Sequence, residues 1–149
     1  MLFMKIKRTE PEKVYVVAKN SYSTASLTNG QAVDWDYVTD ADGVGVTKPA
    51  AGAGVGFASL AGVVAETIAA GEYGLVQVYG HHSAIRVRTA TGGAVAGAAG
   101  VGLKPPAAAV FCLETVEITG THAGISCGVM GEANAAWTTA AVKGFIRCL

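Results

Sequence analysis

The sequence predicts an all-β protein, and three observations support that fold class. Strand-like segments follow one another from residue 63 at the spacing of roughly 8 to 12 residues that is typical of sandwiches and barrels. Glycine, with 20 of the 149 residues, separates many of these segments. Aromatic residues make up only 7% of the chain, so small side chains must fill most of the core. We therefore expect a compact β-sandwich (jelly-roll-like) or a small β-barrel.

The length of the chain fits one domain. We expect an extended N-terminal arm over residues 1–20 and a single β domain over 21–149, with a Gly/Ala-rich loop around 43–62. One segment, 132–142, is compatible with a turn or two of helix. No internal repeat of fixed period is evident in the sequence.

The first predicted strands carry β-branched and aromatic residues. The segment KVYVVAK at 13–19 is one such run. The segment VDWDY at 33–37 alternates apolar and acidic residues, which predicts a strand whose wet face carries Asp34 and Asp36.

The segment LVQVYG at 75–80 is almost wholly apolar, which predicts a strand buried on both faces. We expect Gly74 and Gly80 to set its ends, and His81 and His82 to mark the loop that follows.

Two later segments predict strands with one wet face. AIRVRTA at 84–90 alternates apolar residues with Arg86 and Arg88, which should point to solvent. VFCLETVEITG at 110–120 predicts another strand, with Glu114 and Glu117 pointing outward.

Composition and charge exclude several classes of function. The chain has 11 basic and 11 acidic residues and no concentrated basic face, so we expect no nucleic acid partner. The charge-free run 49–65 is short and glycine-rich, so we expect no membrane partner. Three widely spaced cysteines, Cys112, Cys127 and Cys148, predict reduced and mostly buried thiols in a protein made in a cytoplasm.

Two segments, the histidine pair and the acidic run, contain residue types that bind metal ions. His81 and His82 are adjacent, so on a strand their side chains point to opposite faces and cannot share an ion without a bend. Counted from Asp40, the third alternate position of a calcium loop falls on Val44 and its closing position falls on Ala51, and neither is a carboxylate. We therefore expect no metal and no cofactor.

The segment GISCG at 124–128 matches the pattern of a hydrolase nucleophile elbow, with Ser126 at the central position. That site requires an acid and then a histidine later in the chain, and only Glu132 follows. The glycine-rich runs 52–56 and 92–100 also lack the residues that follow phosphate-binding loops. We expect a protein that is not an enzyme.

Three segments together resemble a known family. They are IAAGEYGLVQVYGHHSAIRV at 68–87, the Gly/Ala-rich TATGGAVAGAAGVGL at 89–103 and AAVKGFIRCL at 140–149. They are similar to the capsid decoration (head cement) proteins of tailed bacteriophages, most clearly over about residues 60–105. In that family a short polar insertion often follows the VYG motif, where this chain has His81-His82-Ser83.

The resemblance implies a virion structural protein on the outer surface of a bacteriophage capsid, made in the bacterial host cytoplasm. Its expected partners are the major capsid protein and neighbouring copies of itself, as a dimer or a trimer. An extended arm of twenty residues spans up to roughly 65 Å, enough to reach a neighbouring capsomer. The residues that we expect at such contacts are Phe3, Ile6, Tyr15, Val17, Trp35 and Tyr37.

Two other classes of protein stay open at this point. A head-fibre or tail-fibre module would favour repeats, which the sequence does not display. An enzyme or a small-ligand β-barrel would require a pocket with convergent polar groups and a perturbed titratable residue.

Overall fold

The computed structural model of the chain describes residues 12–40, 42–50, 59–89, 97–116, 126–134 and 139–148. Within these ranges every element is a β-strand, which confirms the predicted all-β class. None of the described residues belongs to a helix that could cross a membrane. The strands are β1 (Lys13–Asn20), β2 (Ala32–Trp35), β3 (Gly45–Thr47), β4 (Leu60–Val64), β5 (Tyr73–Arg88), β6 (Gly102–Lys104), β7 (Leu113–Thr115), β8 (Gly128–Met130) and β9 (Ala140–Arg147).

The strands close into two hydrogen-bonded rings of five. In the first ring the order is β1-β3-β2-β4-β5, and β5 pairs back with β1. In the second ring the order is β5-β7-β6-β8-β9, and β9 pairs back with β5. Closing a sheet on itself leaves no strand with an unpaired edge, which removes a route to aggregation.

The long strand β5 belongs to both rings. Its residues 73–80 pair with β1, and its residues 79–87 pair with β9. Gly80 therefore has a partner on each side, namely Lys13 in β1 and Ile146 in β9. Its φ of +106° is a conformation that other residues rarely adopt. A Cβ atom there would lie 2.0 Å from the carbonyl oxygen of Glu12.

The predicted loop at His81 and His82 is wrong, because both residues lie inside β5. Gly80 and a register shift between His82 and Ile85 bend the strand without ending it. The backbone stays extended there because β9 supplies hydrogen-bonding partners through the bend.

The two rings have the same topology. Every pairing in the first ring has a counterpart of the same direction in the second, including the parallel pairs β1–β3 and β5–β7. Isolated bridges also occupy matching places, Leu27 with Ile68 and Gly97 with Asn134. The chain is therefore a tandem structural repeat, which corrects the expectation from the sequence.

The turn before the second strand of each ring shows how close the match is. Gly30 has φ +84° and Gly100 has φ +89°. Their amide groups donate at 2.8 Å to the carbonyls of Val64 and Met130, which are equivalent residues of β4 and β8.

Each ring has its own apolar core. The first contains Ala18, Leu27, Val33, Val46, Ala61, Val64, Ile68 and Val76. The second contains Ile85, Val87, Val101, Leu103, Leu113, Cys127, Met130, Val142 and Ile146. Ala32, Leu60 and Val63 also belong to the second core although they lie on strands of the first ring. The outer face of the first ring therefore packs against the second.

Three predicted boundaries change. An extended arm was predicted for 1–20, but from Lys13 onward these residues form β1, which is hydrogen-bonded to β5. Residues 1–11 lie outside the described residues. The loop predicted around 43–62 contains β3 and the start of β4. The end of the helical turn predicted for 132–142 lies in β9, because residues 140–142 pair with β5.

Candidate protein-protein interface

A patch of exposed apolar side chains covers the outer face of β1 and the first half of β5. We call it the β1–β5 face. Its side chains are exposed by 40% at Tyr15, 65% at Val17, 60% at Tyr73 and 37% at Leu75. Val17 lies directly opposite Leu75, and the two tyrosines follow at alternate positions on the same side of the sheet. A contiguous apolar patch of this kind is typical of a protein-binding surface.

Along β1 and β5, side chains point alternately to the core and to the outside, and this alternation determines which residues form the face. Ala18 and Val76, the residues that point inward, are buried in the first core. The antiparallel pairing of β1 with β5 then holds the outward side chains in register. The face is a stiff surface and does not depend on a loop for its shape.

The structure brings together two of the predicted contact residues, Tyr15 and Val17, on this face. Trp35 is only partly exposed and packs against the first core. Tyr37 is 56% exposed in the turn after β2. Phe3 and Ile6 lie outside the described residues.

Sequence reasoning missed the other half of the face, Tyr73 and Leu75. The apolar run at 75–80 predicted burial on both sides, and that holds from Val76 to Val78. Leu75 instead extends the exposed row on β1, to which it is paired at Val17. The sequence did contain one signal, Tyr73. It lies two residues before Leu75, so on a strand both side chains point to the same side.

A second exposed apolar group lies at the tip between β2 and β3. Val38 is 79% exposed and Val44 is 37% exposed. The turn that carries them is held by Asp36, which accepts a hydrogen bond at 3.2 Å from the amide of Thr39. The tip is carried by the turn between β2 and β3, whereas the β1–β5 face is carried by β1 and β5.

Both predicted wet aspartates are buried, so that prediction is wrong. Asp34 is 3% exposed and accepts a hydrogen bond at 2.9 Å from the hydroxyl of Ser59. Burial raises the pKa of the Asp34 carboxyl, opposed by hydrogen bonds from Ser59 and the backbone of Ala50. The same face of β2 carries Ala32, which packs into the second core. The second ring therefore covers the outer side of β2 and shields it from solvent.

His82 is 4% exposed at the junction of the two rings. Its Nδ1 accepts a hydrogen bond at 3.1 Å from the amide of Ala84, and the ring also hydrogen-bonds to the backbone of Val64. Burial lowers the pKa of His82, and the charges of Lys13 and His81 act in the same direction. The hydrogen bond to Val64 opposes them. Burial therefore favours the neutral form of His82 in the folded protein, where its hydrogen bonds join it to the backbone.

We expect the protein to lose stability as pH falls, because of His82. The unfolded state takes up a proton near the ordinary pKa of 6.5, whereas the folded state resists protonation until lower pH. The stabilisation is therefore complete above about pH 6.5 and lost progressively below it. Urea denaturation from about pH 7.5 to about pH 5.5 should show a falling free energy of unfolding.

Replacing His82 by glutamine removes the titrating group, so the slope of stability against pH should flatten. The matched control is His81→Gln on the opposite side of the same strand, which should retain most of the slope because burial is the largest cause of the lowered His82 pKa. An unchanged slope in His82→Gln would contradict this account.

The described residues hold no group of three or more His, Cys, Asp or Glu side chains that could bind a metal ion. His81 pairs with Phe145 and His82 with Gly144, so the two imidazoles lie on alternate sides of β5.

Ser126 serves the backbone of the second ring. Its hydroxyl donates to the carbonyl of Leu103 at 3.2 Å and contacts the carbonyl of Gly128. It also accepts from the amide of Leu103 at 3.2 Å. These bonds join β6 to the residues that lead into β8.

A hollow of about 300 Å³ lies between the rings and brings together Lys48, Arg86 and Cys112. Both cations already have partners. The Lys48 ammonium lies 5.5 Å from the centre of the Phe111 ring, and Arg86 Nη2 donates to Thr28 Oγ1 at 2.9 Å. Burial raises the pKa of the Cys112 thiol, which disfavours the reactive thiolate.

The three cysteines are free, and two of them, Cys112 and Cys127, are buried, as predicted. Burial raises the pKa of Cys148 to about 12, so this thiol also stays protonated.

Neither protein-family models nor curated proteins gave a match to this chain.

Proposed function

We propose that this protein decorates and cements the outer surface of a bacteriophage capsid, where it stabilises contacts between major capsid protein subunits. The observation that carries the proposal is the β1–β5 face, a stiff apolar surface on a molecule whose strands close into rings. The sequence resemblance to head decoration proteins supports the same role. The protein acts by binding and catalyses no reaction in this proposal.

The charge of the molecule agrees with an outer position. A net charge of zero suits contact with protein, whereas a surface facing packaged DNA would carry an excess of basic residues. The β1–β5 face carries Lys19 at its margin, opposite Tyr73, and its centre is apolar. An apolar centre with a polar rim is the usual anatomy of a protein interface.

A binding assay on purified capsid shells that lack the protein tests the proposal. Val17→Asp and Leu75→Asp each place a charge in the centre of the β1–β5 face, so each should weaken binding at least about tenfold. Co-sedimentation of the shells with increasing amounts of protein measures the dissociation constant.

Val38→Asp is the matched control, since it places the same charge on an exposed valine in the turn between β2 and β3, which is not part of the β1–β5 face. It should leave binding unchanged. Loss of binding in Val38→Asp, with normal binding in Val17→Asp, would place the capsid contact at the tip instead.

A head-fibre or tail-fibre module is a second candidate, and the tandem repeat of rings favours it. Fibres are commonly assembled from repeated β units, and two such units follow each other here. The copy number in purified virions separates the two functions. About one copy per capsid subunit, or a simple fraction of it, fits a cement protein, whereas a handful of copies per particle fits a fibre.

A further inference from the structure

The second ring carries an exposed apolar surface of its own. We call it the β8–β9 face and define it by Val129 and Phe145, which are cross-strand partners with exposed fractions of 43% and 39%. They border a hollow of about 130 Å³ that Ser126, Gly128 and Arg147 also line. The Phe145 ring is held edge-on against Tyr79 with a centroid distance of 5.0 Å.

The first ring has the same surface, and there it is covered. Val63 of β4 pairs with Gln77 of β5, and Val129 of β8 pairs with Phe145 of β9 at the same register. In the repeat, Val129 therefore corresponds to Val63, and Phe145 corresponds to Gln77. Val63 is fully buried and Gln77 is 1% exposed. Val63 is buried because it belongs to the core of the second ring. The fold thus contains this surface twice, once packed and once open.

The adjoining turns show the same contrast. The carbonyl of Gly30 accepts a hydrogen bond at 2.8 Å from Arg86 in β5. A Cβ atom on Gly30 would lie 1.9 Å from the carbonyl oxygen of Ala84, so β5 crosses this turn in direct contact. At the equivalent Gly100, a Cβ atom would have nothing within 4 Å among the described residues. No described residue occupies on the second ring the place that β5 occupies beside Gly30 on the first.

We infer that the β8–β9 face of the second ring binds a second copy of this chain. The repeat identifies the occupant. On the first ring, the equivalent surface around Val63 packs against strands of this same fold. Exposed apolar side chains beside a shallow hollow also suit a β surface better than a small ligand. This inference does not depend on the proposed capsid role, because it concerns the purified protein in solution.

Sedimentation velocity over a range of protein concentrations tests the inference. We expect the wild-type protein to self-associate with a dissociation constant on the order of micromolar, the weak end of the range for protein interfaces. Phe145→Asp and Val129→Asp should each weaken self-association at least about tenfold. Thermal denaturation of both variants checks that they remain folded, and Val129→Asp retains the Phe145–Tyr79 ring contact.

The matched control is Leu75→Asp, which alters a side chain of similar exposure, 37%, on the β1–β5 face. It should leave self-association intact. A wild-type protein that stays monomeric at high concentration would overturn the inference. So would a self-associating protein that Leu75→Asp dissociates and Phe145→Asp does not. Failure of the capsid role would show itself in the shell-binding assay alone.

Discussion

Replacing Gly30 by alanine is expected to destabilise the fold by at least about 3 kcal/mol. The new methyl group would lie 1.9 Å from the carbonyl oxygen of Ala84, which is fixed backbone of β5 and cannot turn aside. The substitution also forces a side chain into a positive φ of 84°. The turn at Gly30 and the second half of β5 would have to move apart to relieve the overlap. Urea denaturation measures the loss of free energy of unfolding.

Gly100→Ala is the matched control because it adds the same methyl group in the equivalent turn. The backbone cost is similar, since φ is +89°, but a Cβ atom there meets no described neighbour within 4 Å. We expect a loss of only about 1–2 kcal/mol, the cost of the left-handed conformation. Equal losses in the two variants would show that the contact of Gly30 with β5 contributes nothing beyond backbone strain.

Replacing Arg88 by methionine is expected to cost about 3 kcal/mol or more. Arg88 and Glu114 are neighbours across the parallel pair β5–β7, and Arg88 Nε donates to Glu114 Oε1 at 2.8 Å. The Glu114 side chain is only 3% exposed, so loss of the guanidinium leaves a buried carboxylate without its cationic partner. The prediction from the sequence that Glu114 points outward is therefore wrong, and Glu117 lies outside the described residues.

The double variant Arg88→Met with Glu114→Leu should recover most of that loss, because two apolar side chains leave no buried charge. The pair Lys143–Glu132 provides the control. Its atoms are 2.7 Å apart, but its side chains are 61% and 42% exposed, so Lys143→Met should leave the denaturation midpoint unchanged. A mild effect of Arg88→Met alone would mean that water reaches Glu114 after the substitution.

Local sequence patterns predicted the strands well where the pattern extends over several residues. The β-branched run at 13–19 forms β1, and the alternation around Ile85 and Val87 gives buried apolar residues flanked by partly exposed arginines. These predictions succeed because a period of two is a property of the strand itself.

The sequence could not reveal which faces of the strands become covered when one ring packs against the other. The alternation at Asp34 predicts a wet face, but the second ring covers that side of β2. Gly80 and the two histidines after it resemble a turn, but β1 and β9 hold the backbone extended on both sides. Both outcomes depend on contacts between residues that are far apart in the chain.

The tandem repeat leaves a faint trace in the sequence. GVVAE at 62–66 and GVMGE at 128–132 occupy the same place in the two rings. Other matched positions differ in chemistry, such as Ile68 and Asn134 at the two isolated bridges. The two rings share strand pairing and turn geometry but differ in side chains at such positions, so a search for similar residues at a fixed period finds little.

The strand shared by both rings has a consequence for the order in which the chain folds. All five strands of the first ring are present once residue 80 has been synthesised, and domains generally fold as their residues emerge. The second ring must wait for β9, which is separated from its partner β5 by some fifty residues of chain. A first ring that has already closed holds the start of β5 in place. It thereby presents the rest of that strand as a template on which β9 can align.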